Sequence, residues 1–462
     1  MIDRHGSRAS SERRAAFPPE EFIERRQRLF EAIGNDGYAL LQGAPPPRGY
    51  VVFRQTNEFY YCSGLETPGA YLLLKGPEHR AALYLPFRGK AALEEGGAPG
   101  AEDGELVRAI TGADEVHGLE RLWEHLAEAR IVYTPHAPAE LRGGTRHDLL
   151  LADRQVALDP WDGLPSREQR LIALLRTRLP RAEVRDLTPI LDEMRSVKSP
   201  REVAVMRRAG QLAAQAVREA MRVTRAGLRE YQLGALASYI YLVNGARGEG
   251  YRPIIASGEN IWHIHYFRND GVLKDGDLVL MDVAPECDYY TSDIGRMWPV
   301  SGVYAPWQRE LYGFMVEYHK VLLARLRPGV MPDQVMDEAA AAMRGVWERW
   351  PFSKEVYREA ARRTLEFRGH LSHPVGMAVH DDGDYRHRPL LPGTVFAVDP
   401  QMWVPEEKLY IRVEDCVAIT EDGVEALTTG APLELADVEA LMAGERAELP
   451  YQEDWGLPGS RK

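Results

Sequence analysis

The chain is poor in cysteine: Cys62, Cys287 and Cys416 are all it has in 462 residues. Three thiols cannot build a disulfide framework, which points to a reducing cytoplasm and a fold held by its core. Cys287 and Cys416 fall beside apolar, strand-like runs and read as core filler. Long apolar runs are also missing. Nothing approaches the roughly 18 consecutive apolar residues of a membrane span, so no membrane partner is expected. A basic surface is absent too, because the net charge of −12 disfavours nucleic acid and anionic bilayers, which both reward positive charge. The opening MIDRHGSRASSERRAAF has no apolar h-region and is not a secretory signal. It faintly resembles an organellar presequence, but Asp3 and Glu12 count against that. No period of about 20–50 residues recurs, which argues against a solenoid or propeller. The stretch EEGGAPGAEDGE at 94–105 lacks the lysine of a phosphate-binding loop and reads as a plain loop. Hydrophobic residues at 45% and charged residues at 27% are ordinary for a globular protein, and the length suits two to three domains.

Two patterns of apolar residues divide the chain. In residues 1–190, EEFIERRQRLFEAI at 20–33 predicts a helix closed by Gly34. Short β-like runs follow: YALLQG, GYVVF, FYYCSG, AYLLLKG, AALYLPF and RIVYTP. Helical stretches are expected around 104–110, 118–128 and 165–178. Strands alternating with helices imply an α/β amino-terminal domain. In residues 191–462, Ser199 can cap a helix with Pro200 as its first residue and Glu202 as capping-box partner. Val203, Met206, Ala209, Leu212, Ala213, Ala216 and Val217 then follow helical spacing. Further helices are expected at 229–243, 306–327 and 332–348, and LADVEALMAG reads as a last short one. Helices interleaved with antiparallel hairpins imply an α+β catalytic half. The tail from Glu445 to Lys462 shows no period.

The chemistry lies in that second half. Asp282 and Asp293 occur in LVLMDVAPECDYYTSDIGRMWPV, His373 in LSHPVGMAVHDDGD, Asp399 in VFAVDPQMW and Glu414 in YIRVEDCVAIT. Each carboxylate sits in or beside a β-rich apolar run, where a lone charge is costly to bury. Any one such Asp is more often a turn or strand-end residue. Together they need positive partners, and no Lys or Arg pattern in these runs neutralises four acids. One divalent ion leaves the cluster at about −2, whereas two bring it close to neutral. Oxygen donors with a single imidazole favour manganese over a thiolate-type zinc site. Pro285, Glu286, Cys287 and Asp288 read as a turn, so Asp282 and Asp293 can face each other across a hairpin.

These residues resemble the pita-bread (creatinase/aminopeptidase-like) metallopeptidases, and more closely the aminopeptidase P branch, which removes an N-terminal residue preceding proline. FIERRQRLF and FRQTNEFYYCSGLETPGAYLLL resemble the amino-terminal domain of that branch. MRSVKSPREVAVMRRAG resembles its interdomain junction, and PIIASGENIWHIHYFRND the segment before the first metal-binding aspartate. The resemblance implies a pita-bread catalytic domain and two divalent ions sharing a water, which is deprotonated to a bridging hydroxide that attacks the peptide carbonyl. It implies metal ligation by Asp282, Asp293, His373, Asp399 and Glu414, with Asp293 and Glu414 bridging. His265 and His380 would bind substrate and steady the transition state, His263 would be a bystander, and Arg412 would give structural support. It implies a homo-oligomer acting on peptides with proline in second position.

The chain departs from the family at three places. Asp399 stands where the family has a glutamate, ligand and general base in one. RGKAALEEGG at 88–97 replaces a tryptophan-containing segment that helps bind substrate in some members. Gly369 and His370 stand in reversed order before the LSH triplet. Two other readings remain: a prolidase restricted to Xaa-Pro dipeptides, and a metal-free binding module that kept the fold.

Overall fold

The computed structural model describes residues 16–89, 97–445 and 447–450. The opening residues 1–15, part of the 94–105 loop and most of the tail lie outside the described residues. The chain opens with α1 (Pro19–Ile33), stopped at Gly34, whose φ of 71° suits glycine. A six-stranded sheet follows, in the order β4-β3-β2-β1-β5-β6. Its strands are β1 (Gly37–Gln42), β2 (Tyr71–Lys75), β3 (Arg80–Leu85), β4 (Glu115–Gly118), β5 (Ile131–Thr134) and β6 (Glu183–Asp186). β2 runs antiparallel to β1 and β3, while β3–β4, β1–β5 and β5–β6 pair in parallel. Helices α2 (Asn57–Ser63), α3 (Gly104–Thr111), α4 (Leu122–Leu126), α5 (Arg146–Leu158) and α6 (Arg167–Arg178) accompany it. The α/β expectation therefore holds for this half.

Two expected strands are absent. FYYCSG belongs to α2, whose seven residues are all buried and whose cap Gly64 is left-handed. A short run that is apolar on every side carries no period by which helix and strand can be told apart. GYVVF is irregular backbone, with Tyr50, Val51 and Val52 exposed. The helices α5 and α12 (Glu355–Glu366) escaped the sequence reading; α5 buries only Arg146, and α12 is dominated by charged and small residues.

Helix α7 (Thr188–Ser196) leads into α8 (Pro200–Val223), and the expected 190/191 division falls inside α7. Ser199 and Glu202 form the capping box, each side chain meeting the other's backbone N–H. After α9 (Glu230–Val243) comes the second sheet: β7 (Ile254–Ser257), β8 (Leu278–Asp282), β9 (Ile294–Pro299), β10 (Val395–Val398), β13 (Glu414–Ile419) and β14 (Val424–Ala426). Its order is β10-β13-β9-β8-β7, antiparallel throughout, with β14 beside β13. β11 (Gln401–Val404) and β12 (Leu409–Arg412) make a separate hairpin. Helices α10 (Pro306–Leu323), α11 (Pro332–Arg349), α12 and α13 (Leu435–Ala443) complete this half. α8, α9 and α10 bury apolar faces against the sheet, in the largest core of the molecule.

The two halves meet through buried polar groups. The β8–β9 turn carries Tyr289, which stacks on Tyr60 of α2 with ring centroids 3.5 Å apart. Arg54 Nε reaches Glu286 at 2.6 Å, and the Tyr289 hydroxyl donates to Glu66 at 2.6 Å. Elsewhere Arg195 of α7 binds Glu140 at 2.7 Å and also contacts Asp381 closely, while Lys198 lies 3.3 Å from Asp381. Burial and the facing Glu140 push the pKa of Asp382 well above the usual carboxylate range. Replacing Arg195 by Met leaves buried Glu140 with only Arg146, 4.0 Å away, and buried Asp381 with only Lys198. Arg195→Met is expected to lose about 3–5 kcal/mol of stability, read as a fall in the urea unfolding midpoint.

Candidate metal centre

Backbone pairing alone brings the predicted acids together. Asp282 ends β8 and faces Gly295 of β9, whose strand begins one residue after Asp293. The intervening turn is tight, with Asp288 and Tyr289 at φ 44° and 75°. The expected hairpin is thus present. Glu414 of β13 lies opposite the same Gly295. A Cβ on Gly295 would come within 3.0 Å of the Glu414 Cβ and 3.2 Å of Arg412 Nε, so glycine there lets both side chains in. His373 sits on a segment that runs alongside β10: Ala397 N–H donates to the His373 carbonyl at 2.9 Å, and Asp399 N–H to the Leu371 carbonyl at 3.1 Å.

Asp293, His373 and Glu414 lie side by side. His373 Nε2 is 3.3 Å from Asp293 Oδ2 and 3.8 Å from Glu414 Oε1. His373 Nδ1 faces the Pro374 carbonyl at 3.1 Å, which assigns the ring proton to that nitrogen. Burial, then the neighbouring His380, hold the His373 pKa well below its ordinary value, so the ring is neutral. Its Nε2 lone pair therefore points at two carboxylate oxygens. Burial drives the pKa of Asp293 and Glu414 well above the carboxylate range, with the other acids adding to it. Three mutually facing acceptors fit a cation between them.

Asp282 and Asp399 complete the cluster. The Tyr251 hydroxyl lies 2.5 Å from Asp282 Oδ1 and 2.6 Å from Asp293 Oδ1, with one proton to offer two acids. Arg412 Nη2 binds Asp282 Oδ2 at 2.8 Å and touches Glu414, while its Nε lies 3.4 Å from Asp399 Oδ1. Asp399 Oδ2 accepts from Gln401 Nε2 at 2.7 Å. Two buried carboxylate oxygens, Asp399 Oδ1 and Glu414 Oε1, have no hydrogen-bond partner. The sequence reading found no cation able to neutralise the group, and Arg412 alone does not. Four ionised acids and one guanidinium sum to −4 + 1 = −3. One divalent ion would leave −1 and two would give +1, so two ions and one anionic ligand balance the charge. The residues present fit a pair of divalent ions.

His265 and His380, expected from the resemblance to bind substrate, stand at the edge of this cluster. His380 packs against His373 with ring centroids 3.9 Å apart, and His265 lies 6.2 Å from His380. Both are exposed, as is His263. Desolvation by its neighbours, then His265, hold the His380 pKa below its usual value. On the far side, Asp399, Gln401, Trp403 and His370 line a largely apolar cavity of about 370 Å³.

Sequence reasoning missed Tyr251 and Gln401, whereas Arg412 was read as structural support and is found between Asp282, Asp399 and Glu414. Tyr251 comes in only through chain pairing, and Gln401, two residues from Asp399, carries no local signal of its own. The acid beside Glu414 has the opposite fate. Asp415 is held by Arg296 at 2.7 Å and His319 at 2.8 Å, turned away from the cluster and kept below the usual carboxylate range despite burial.

Comparison with known proteins gives a consistent picture. Residues 204–421 match the metallopeptidase family M24, and residues 22–133 match the aminopeptidase P N-terminal domain. The chain is 32% identical to Xaa-Pro aminopeptidase of Escherichia coli (strain K12) over 458 residues, covering 93% of this chain and 99% of that protein. It is 28% identical to the mitochondrial intermediate cleaving peptidase 55 of Arabidopsis thaliana, over 92% of this chain and 83% of that protein. Among solved structures, an Escherichia coli aminopeptidase P variant in complex with substrate superposes with a TM-score of 0.76. That match covers 93% of this chain and 99% of the other, at 31% identity. A Zn-substituted form of the Escherichia coli enzyme in complex with product gives 0.75, at 30% identity over 94% and 100% of the two chains.

Asp399 is the position most specific to this chain. Asp399→Ala and Asp399→Asn are expected to lower bound manganese, by elemental analysis of the dialysed protein, and to reduce turnover by about 100-fold or more. Wild-type metal content in Asp399→Ala would remove this residue from the site.

Proposed function

Since the chain belongs to metallopeptidase family M24, in its aminopeptidase P branch, we propose that it removes the first residue of peptides whose second residue is proline. The observation that carries this reading is the trio of Asp293, His373 and Glu414, whose donor atoms lie within 4.8 Å of one another. Asp282, Asp293, His373, Asp399 and Glu414 would hold two divalent ions, and their predominantly oxygen donors favour manganese. When bound, such ions supply Lewis-acid polarisation of a carbonyl and make water acidic enough to ionise near neutral pH.

This chain's own residues supply the rest. Asp399 keeps Oδ1 free of protein hydrogen bonds, and this oxygen takes the proton of the attacking water. His380, uncharged at neutral pH, donates an N–H to the carbonyl oxygen as it gains charge. His265 flanks the same opening and orients the substrate backbone. Arg412 spaces Asp282, Asp399 and Glu414 through its three contacts. The same residues would serve a prolidase, so peptide length, not the metal centre, separates the two activities.

The reading includes a cytoplasmic homo-oligomer and a division into an amino-terminal domain at 1–190 and a catalytic domain at 191–462. Among the described residues no helix is long and apolar enough to cross a membrane, and all three cysteines are free and buried.

Chelation is expected to abolish hydrolysis, and manganese or cobalt to restore it; full activity in the metal-free protein would overturn the proposal. Xaa-Pro-Yaa peptides should be cut as well as Xaa-Pro dipeptides, and cleavage of dipeptides alone would make the enzyme a prolidase.

His265→Ala and His380→Ala should keep the metal stoichiometry while kcat falls about 100- to 1000-fold, the scale of one lost oxyanion donor. Loss of metal from His380→Ala would reverse its assignment from catalyst to ligand.

A further inference from the structure

Asp399 is one methylene shorter than the glutamate that the aminopeptidase P pattern carries, yet its carboxylate reaches the cluster. Three contacts fix its backbone and one of its oxygens. Its N–H is tied to the Leu371 carbonyl at 3.1 Å, and Pro400 follows it with a fixed φ. Two residues on, Gln401 returns its side-chain amide to Asp399 Oδ2 at 2.7 Å. The Gln401 backbone is itself anchored, because its carbonyl accepts from the Thr364 hydroxyl of α12 at 3.1 Å. In the β11–β12 hairpin Gln401 stands directly opposite Arg412, whose Nε approaches the other oxygen, Oδ1, at 3.4 Å. The carboxylate is thus bracketed from two strands.

We propose that Gln401 is the positioning residue that makes an aspartate serviceable at 399. The inference rests on the reading of Asp399 as ligand and proton acceptor. A carboxylate swings broadly about its last torsion, and its two oxygens exchange places at little cost. A donor fixed on Oδ2 removes that freedom and commits Oδ1, which has no protein hydrogen bond, to the metal centre. The amide does this without adding charge. A lysine or arginine in its place would neutralise the acid and shift the balance set by Arg412. Such donors behind a ligand orient it and tune its basicity. The arrangement also makes the shorter acid and Gln401 complementary. An extra methylene at 399 would carry the carboxylate toward the space that the Gln401 amide fills, so a longer acid and Gln401 exclude one another.

The test compares five proteins: wild type, Gln401→Met, Asp399→Glu, Asp399→Glu with Gln401→Gly, and Asp399→Ala. Each is stripped of metal, titrated with Mn(II) followed by electron paramagnetic resonance, and assayed for turnover. Gln401→Met keeps the length of the side chain and loses the donor. It should melt, metal-free, at the wild-type temperature, yet bind one Mn(II) about 10- to 100-fold more weakly, with a matching fall in kcat. Asp399→Glu should lose both properties, and adding Gln401→Gly should restore most of each. Wild-type Mn(II) affinity and kcat in Gln401→Met, or no recovery in the double variant, would overturn the proposal while leaving Asp399 a ligand. Wild-type Mn(II) binding in Asp399→Ala would instead overturn the reading on which it rests.

Discussion

Mutual repulsion among four buried acids is the constraint on which the rest of this structure depends. Asp282, Asp293, Asp399 and Glu414 are all buried, and their side chains share one guanidinium and one phenol. No chain would gather such groups for stability, since an uncompensated buried charge costs several kcal/mol. The fold around them reads as the means of holding them there. Four antiparallel strand pairings fix their backbones, Gly295 clears the space between them, and the three helices packed on the sheet leave no alternative register.

The division of labour between adjacent acids follows from strand geometry. Glu414 and Asp415 alternate across β13, so one points into the cluster and the other into the core. There Asp415 meets Arg296, His319 and Thr428 and serves the packing alone. His380 and its neighbour also part company, here in irregular backbone. His380 faces the opening, while Asp381 turns inward to Arg195 and Lys198 and ties the loop to α7.

Much of this was legible in the sequence because the informative residues lie in regular elements. The capping box at Ser199, the apolar face of α8 and the turn between Asp282 and Asp293 each have a local cause, and each is found in the structure. What could not be read depends on long-range pairing. Tyr251 lies 31 residues from Asp282 and 42 from Asp293, and Arg412 lies 130 residues from Asp282. FYYCSG reads as a strand, although it is helical, because its burial comes from its neighbours and not from any pattern of its own. In GYVVF, β-type residues stand exposed in irregular backbone, a case where tertiary context overrides propensity.

The turn between β8 and β9 bears on how such a molecule can be inherited. Its two left-handed residues, Asp288 and Tyr289, are strained conformations for side chains of that size, worth about 1–3 kcal/mol each. Besides the Cys287–Tyr290 backbone bonds and Arg247 over the Tyr289 ring, what holds them comes from the other half: Tyr60 beneath the ring, Gln55 and Glu66 on the hydroxyl, Arg54 on the adjoining Glu286. The arms of that same hairpin end in Asp282 and begin before Ile294 with Asp293. The amino-terminal half thus acts as a jig for the metal centre. Gene fusions or recombinations that exchange one half between relatives would have to carry these four contacts with them, so the two halves are bound to evolve as a single unit.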